Sequence, residues 1–84
     1  MDRNICDKSL LRKLNKKGIK TTGKIEDMED MIKSKGFNLP GPGVNSKGDI
    51  VDYGFVHGKQ VRIRLNYVDA LAEEILFLIE NKLW

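Results

Sequence analysis

The feature that most constrains this chain is a pair of glycines, Gly18 and Gly23, lying between two short amphipathic patterns. Residues 8–17 place leucines at helical spacing, and Lys16-Lys17 followed by glycine is typical of a helix end with basic residues near its dipole. The next apolar pattern begins only a few residues later. We therefore expect two neighbouring helices joined by a tight turn.

The second helix is expected to begin at Thr21 or Thr22, whose hydroxyl can cap the first backbone amides. Apolar residues spaced for one helix face follow, namely Ile25, Met28, Met31 and Ile32. Gly36 ends this helix, and Phe37 is placed to close the end hydrophobically. Segment 37–49 is rich in glycine and proline, so we expect a linker or surface loop there.

Alternating apolar residues after this loop predict a β-hairpin. If Phe55 pairs with Val61 across a three-residue turn at 57–59, the apolar residues of both strands share one face. We favour this register because a small domain needs those side chains for its core. A two-residue turn would instead set aromatic residues beside Arg62 and Arg64, as a platform that could stack on nucleotide bases.

From Asn66 onward the pattern predicts a broadly apolar helix, with Asp69 placed for a near capping box. Phe77 falls on the side opposite the apolar stripe and, with Trp84, is a candidate surface for a homodimer or another protein partner. The predicted fold class is α+β in the order ααββα, one domain over 1–84 whose core comes from the hairpin and last helix. Its parts are the helix pair, the Gly/Pro-rich loop and the hairpin with the C-terminal helix, over residues 8–36, 37–49 and 50–84.

Composition argues against several function classes. Cys6 is the only cysteine and His57 the only histidine, which excludes an internal disulfide and a self-contained four-ligand zinc site. No apolar run approaches the roughly 20 residues of a membrane span, so we expect a soluble, cytoplasmic protein without a membrane partner. Because His57 sits in a predicted hairpin tip, it lacks the surroundings of a catalytic base. We expect no enzyme activity, cofactor or metal.

The net charge of +3 is distributed unevenly along the chain. Between residues 8 and 25 there is no acidic residue, but there are seven basic ones: Lys8, Arg12, Lys13, Lys16, Lys17, Lys20 and Lys24. An acidic stretch at 26–30 then reverses the sign. The sequence therefore predicts a positive patch on the first helix and the turn, where an anion would approach.

The spacing of residues 11–32 resembles a SAP motif, a helix–extended turn–helix module related to LEM and HeH modules. The matching positions are Leu11, Leu14, Gly18, Ile19, Gly23, Lys24, Met28 and Ile32. The resemblance covers about residues 8–36 and implies noncatalytic, sequence-tolerant DNA binding, often of AT-rich duplex. One position departs from the family, which commonly has a lysine two places after its second glycine, where this chain has Ile25.

We expect DNA, or RNA, to be held by its backbone phosphates. Lysines near the turn would displace counterions, and amides at the start of the second helix would donate to a phosphate oxygen. Carried over by position, the expected contacts are Lys16, Lys17, Lys20, Thr22, Gly23 and Lys24, with Arg12 and Lys13 in support.

Two alternatives to this interpretation stay open. In the first, the basic residues form a solvated helix face without a ligand, as surface lysines often do. In the second, the chain is a small protein-binding adaptor or inhibitor of the sort that phages and other mobile elements encode. Such a protein would act through the exposed side of the last helix and the acidic stretch at 26–30, because LEM-like relatives of the same helix pair bind proteins.

Overall fold

The computed structural model of this chain describes residues 5–57, 60–64 and 66–84. Its elements are α1 (Lys8–Lys16), α2 (Ile25–Ser34), β1 (Gly41–Val44), β2 (Ile50–His57), β3 (Gln60–Arg64) and α3 (Tyr67–Glu80). The strands form one antiparallel sheet in the order β1-β2-β3. The predicted α+β class is confirmed. The structure has one strand, β1, that the predicted order ααββα lacks.

The first two helices end at the predicted glycines. Gly18 has a φ of +86°, and the N–H of Ile19 donates to the carbonyl of Leu14 at 3.0 Å, which closes a Schellman motif at the end of α1. Gly36 repeats this arrangement after α2, with a φ of +83°. Both glycines adopt the left-handed conformation that a side chain disfavours, so these two predicted helix ends are confirmed.

The start of α2 differs from the prediction. The helix begins at Ile25, and its N-cap position is Lys24, not Thr21 or Thr22. The Thr22 hydroxyl instead donates to the carboxylate of Asp27, and the same oxygen accepts the N–H of Lys24 at 3.3 Å. Because the threonine is committed to this local network, the helical conformation begins three residues after it.

The Gly/Pro-rich segment contains a strand that we did not expect. β1 pairs with β2, with Pro42 opposite Tyr53, and the register shifts between Gly43 and Val44. Proline is tolerated here because β1 is an edge strand, where a missing N–H can face solvent. The prediction of a loop throughout 37–49 is therefore wrong for the four residues of β1.

The hairpin register also differs from the one we favoured. Phe55 lies opposite Arg62 and Tyr53 opposite Arg64, while Val61 pairs with Val56. The pairs leave two residues between the strands, Gly58 and Lys59, which lie outside the described residues, as do Leu65 and the first four residues. This is the register that would set aromatic residues beside Arg62 and Arg64. The side chains of Phe55, Arg62 and Arg64 lie outside the described residues.

The predicted contribution of the hairpin to the core falls largely on side chains that lie outside the described residues. Among the described side chains, the buried core is built by the three helices and Cys6. It consists of Cys6, Leu10, Leu14, Met28, Ile32, Val68, Leu71, Ala72, Ile75 and Leu76. α3 contacts α1, α2, β2 and β3, so it lies between the helix pair and the sheet. Because α3 is covered on two sides, it is apolar around most of its circumference.

This central position corrects the prediction for Phe77, which is 4% exposed and does not face solvent. The exposed side of α3 that a protein partner would have used is absent over residues 68–78, where every residue except the half-buried Glu73 is buried. Within the described ranges, no helix has both the length and the apolar composition needed to cross a bilayer.

Candidate nucleic-acid interface

One row of cations lies on the outer face of α1. Lys8, Arg12 and Lys16 are four residues apart and therefore line one side of the helix. Arg12 is two positions from both Leu10 and Leu14, which are buried in the core, so the row faces away from the core. All three cations are exposed. We call these three residues the α1 row.

Lys13 lies apart from this row, on the flank of α1 that faces α3. It lines a shallow groove of about 250 Å³ together with the acids Glu73 and Glu80, over Leu76 and Phe77. Its ammonium group therefore shares its surroundings with two carboxylates, which lower the local positive potential. The fold therefore places the predicted site residue Lys13 beside two acids.

The connection between α1 and α2, residues 17–24, is packed on the opposite flank. A Cβ at Gly23 would lie 3.2 Å from both Cys6 Sγ and Leu11 Cδ1. Leu11 is two residues before Lys13 and so projects from nearly the opposite side of α1. The Gly23 carbonyl accepts the N–H of Cys6 at 2.9 Å, and Ile5 pairs with Lys24 in an isolated β-bridge. The fold therefore does not bring Lys13 together with the end of the connection.

Two backbone amides at the end of this connection have internal acceptors. The N–H of Gly23 donates to Thr21 Oγ1 at 3.2 Å, and the N–H of Lys24 donates to Thr22 Oγ1 at 3.3 Å. These two amides are therefore less available to a phosphate oxygen than expected, whereas no side chain caps the first turn of α2. Short threonine side chains satisfy these donors locally, as they do in many turns.

An internal carboxylate occupies the outer side of the same connection. Asp27 Oδ2 accepts the Thr22 hydroxyl at 2.5 Å and the Thr22 N–H at 3.2 Å. These two hydrogen bonds, with a further contribution from the charge of Lys24, hold the pKa of the Asp27 carboxyl below its ordinary value. The carboxylate is thus ionised at neutral pH and partly offsets the positive charge of Lys24.

The other predicted lysines are exposed but differ in placement. Lys17 is the C-cap residue of α1, one helical turn beyond Lys13. Lys20 is exposed in the middle of the connection, and Lys24 is exposed at its end near Asp27. The predicted site residues therefore occupy three places. These are the outer face of α1, the flank of α1 near α3, and the connection, whose end lies near Asp27 of α2.

A second acid of α2 is engaged in a way that the sequence did not suggest. The Tyr67 hydroxyl donates to Glu29 Oε2 at 2.5 Å, and the ring of Tyr67 lies 5.1 Å from that of Tyr53 at an angle of 60°. Burial, followed by the bond to Glu29 and nearby negative charges, raises the pKa of Tyr67. Glu29 therefore links α2 to α3 through this hydrogen bond. It is less available to a protein partner than its position in the acidic stretch suggested.

The predicted partner surface is also engaged within the chain. Trp84 packs against the core, and the Lys35 Nζ lies 5.4 Å from the centre of its ring. Together with the burial of Phe77, this leaves neither aromatic as an open anchor for another protein. Among the described residues, no group of three or more histidine, cysteine, aspartate or glutamate side chains is placed to hold a metal ion.

Comparison with known proteins adds no further constraint. No protein-family model matches the sequence, and neither a curated protein nor a solved structure is significantly similar to it. The resemblance of residues 8–36 to a SAP motif therefore stays a prediction from residue spacing.

Proposed function

We propose that this domain binds nucleic acid, DNA in the first place, through backbone phosphate contacts and without catalysing a reaction. The observation that carries the proposal is the α1 row, in which three exposed cations share the face of α1 that points away from the core. No acidic residue occurs in the sequence between positions 8 and 25 to interrupt this face. Such an arrangement attracts a polyanion before any specific contact forms.

The dimensions of the row suit consecutive phosphates of one strand. From Lys8 to Lys16 the helix rises by about 12 Å, and phosphates of one DNA strand follow each other every 3.4 Å or so along the duplex axis. The three cations of the row can therefore contact about three phosphates of one strand. Lysine and arginine contacts of this kind position a protein but carry no base information, so the binding is sequence-tolerant.

The arrangement of α1 and α2 supports this proposal and changes its expected details. α1 ends at Lys16 and α2 begins at Ile25, which is the helix–extended turn–helix order of the SAP-like pattern. The contacts, however, are assigned to side chains of α1, with Lys17 and Lys20 in support, because the turn amides have internal partners. The proposed setting is the cytoplasm, where the lone buried Cys6 stays reduced.

Fluorescence anisotropy with a labelled duplex, measured across a salt series, tests the proposal. Three to five phosphate contacts predict a slope of log affinity against log salt between about −2.7 and −4.5. The same titration with RNA and with single-stranded DNA shows whether a duplex is required. Binding that is absent at low salt, or that does not change with salt, would contradict phosphate contact.

A matched pair of double variants locates the contact. Arg12→Glu with Lys16→Glu reverses two charges of the α1 row, whereas Lys33→Glu with Lys47→Glu makes the same change in net charge at exposed sites elsewhere. We expect the first variant to lower affinity by about 30-fold or more and the second by a few-fold at most. Equal losses in both variants would indicate nonspecific attraction to total charge.

A further inference from the structure

The connection between α1 and α2 holds an anion of its own. The Asp27 carboxylate accepts both the hydroxyl and the backbone N–H of Thr22, and it lies near the charge of Lys24. A hydroxyl, an amide and an ammonium group are the donors that a phosphate oxygen would use. Here a side chain of the same molecule accepts from the first two and lies near the third.

We propose that Asp27 acts as an internal competitor that keeps phosphates out of this connection and confines nucleic acid to the α1 row. This inference rests on the proposed function and adds a residue that limits the size of the contact. The carboxylate does so in two ways, by occupying the Thr22 donors and by offsetting the charge of Lys24.

The intramolecular position of the carboxylate gives it an advantage over a phosphate. Asp27 is five residues from Thr22 in the same chain, so its effective concentration at those donors is far above that of any free ligand. A phosphate entering the connection must displace it and then lie beside a displaced negative charge. Phosphates on the α1 row meet neither obstacle.

Asp27 differs in this respect from the other acids of α2. Glu29 accepts a hydrogen bond from Tyr67 on the side of α2 that faces α3. Asp30 is exposed and lies three residues further along the helix from the connection than Asp27 does. Asp30→Asn therefore removes the same charge as Asp27→Asn at a position away from Thr22 and Lys24, and it serves as the control.

The test compares Asp27→Asn, Asp30→Asn and the unaltered chain in duplex titrations across the same salt series. Asparagine removes the charge, but its amide oxygen can still accept from Thr22, so Asp27→Asn tests how far the carboxylate offsets Lys24. A thermal melt of each variant confirms folding before binding is measured. We expect Asp27→Asn to bind about two- to fivefold more tightly and its salt slope to steepen by about 0.9, which corresponds to one added phosphate contact. Asp30→Asn should leave the slope unchanged.

The outcomes separate this inference from the proposed function. If the unaltered chain binds and the two variants behave alike, the role of Asp27 is overturned while the proposed function stands. If the unaltered chain does not bind but Asp27→Asn does, both the confinement to the α1 row and the proposed function of the unaltered chain are overturned. If none of the three binds, both proposals are overturned.

Discussion

The α1 row and the α1–α2 connection carry comparable positive charge in the sequence, yet their surroundings differ. On α1 the charges point to solvent from a regular helix whose opposite side is buried. In the connection, threonine hydroxyls take the turn amides, and Asp27 lies beside Lys24. The number of lysines in a segment therefore does not determine how much of its positive charge is available to a ligand, because that also depends on local hydrogen bonding.

The largest expected effect tests whether the connection is as tightly packed as described. Gly23 and Gly18 both have positive φ, but a Cβ meets atoms at 3.2 Å only at Gly23, whereas nothing lies within 4 Å at Gly18. We expect Gly23→Ala to lower the free energy of unfolding by about 2–4 kcal/mol, from left-handed strain plus overpacking. Gly18→Ala should cost only about 1 kcal/mol, from strain alone. Denaturant unfolding of both variants measures the difference, and equal losses would show that the connection is loosely packed.

The next effect concerns which region binds. Arg12→Glu with Lys16→Glu removes charge from the α1 row, and Lys20→Glu with Lys24→Glu removes the same charge from the connection. We expect a loss of affinity of about 30-fold or more for the first variant and below about fivefold for the second. Anisotropy titrations at one fixed salt concentration measure both. A larger loss of affinity in the connection variant would show that the connection, and not the α1 row, is the main contact.

A smaller effect probes the network that closes the connection. Thr22→Val keeps the size of the side chain but removes the hydroxyl that donates to Asp27 and accepts from Lys24. We expect a fall of a few degrees in Tm, smaller than that for Gly23→Ala, because the site is exposed and water replaces part of what is lost. Ser9→Ala, which removes an exposed hydroxyl bond to Asp7 near the start of α1, is a suitable control. A Thr22→Val melt that matches the unaltered chain would show that this network adds no stability.

The smallest effect is the titration of Asp27 itself. Because its carboxyl pKa is lower in the folded protein than the ordinary 3.8, this bond network stabilises the fold above that pH and ceases to do so as pH falls through the folded value. An NMR titration of the carboxyl carbon should find Asp27 below its ordinary pKa, and Thr22→Val should move it back toward that value. An ordinary pKa in the unaltered chain would contradict the hydrogen bonds to Thr22.

Local signals in the sequence predicted those parts of the fold that local chemistry determines. Gly18 and Gly36 end their helices as expected because a left-handed residue after a helix is a property of a few neighbouring residues. The spacing of Leu10 and Leu14 likewise identified the buried side of α1, and with it the outward row.

The parts that could not be predicted depend on contacts between distant segments. The hairpin register and the burial of Phe77 follow from α3 lying between the helix pair and the sheet, which no local pattern states. The bond from the Asp7 N–H to Asp69 Oδ1, at 2.9 Å, spans 62 positions in the sequence. Asp27 was visible as an acid near the turn, but its bond to Thr22 required the helix to begin later than the threonines suggested.

The claim that nucleic acid contacts the α1 row and not the connection is tested most directly by titrating isotopically labelled protein with a short duplex. The measured quantities are the chemical shifts of the backbone amides and of the arginine and lysine side chains. We expect the largest changes at Lys8, Arg12 and Lys16, and little change at the amides of Gly23 and Lys24. Changes centred on Gly23 and Lys24, or no changes anywhere along α1, would contradict it.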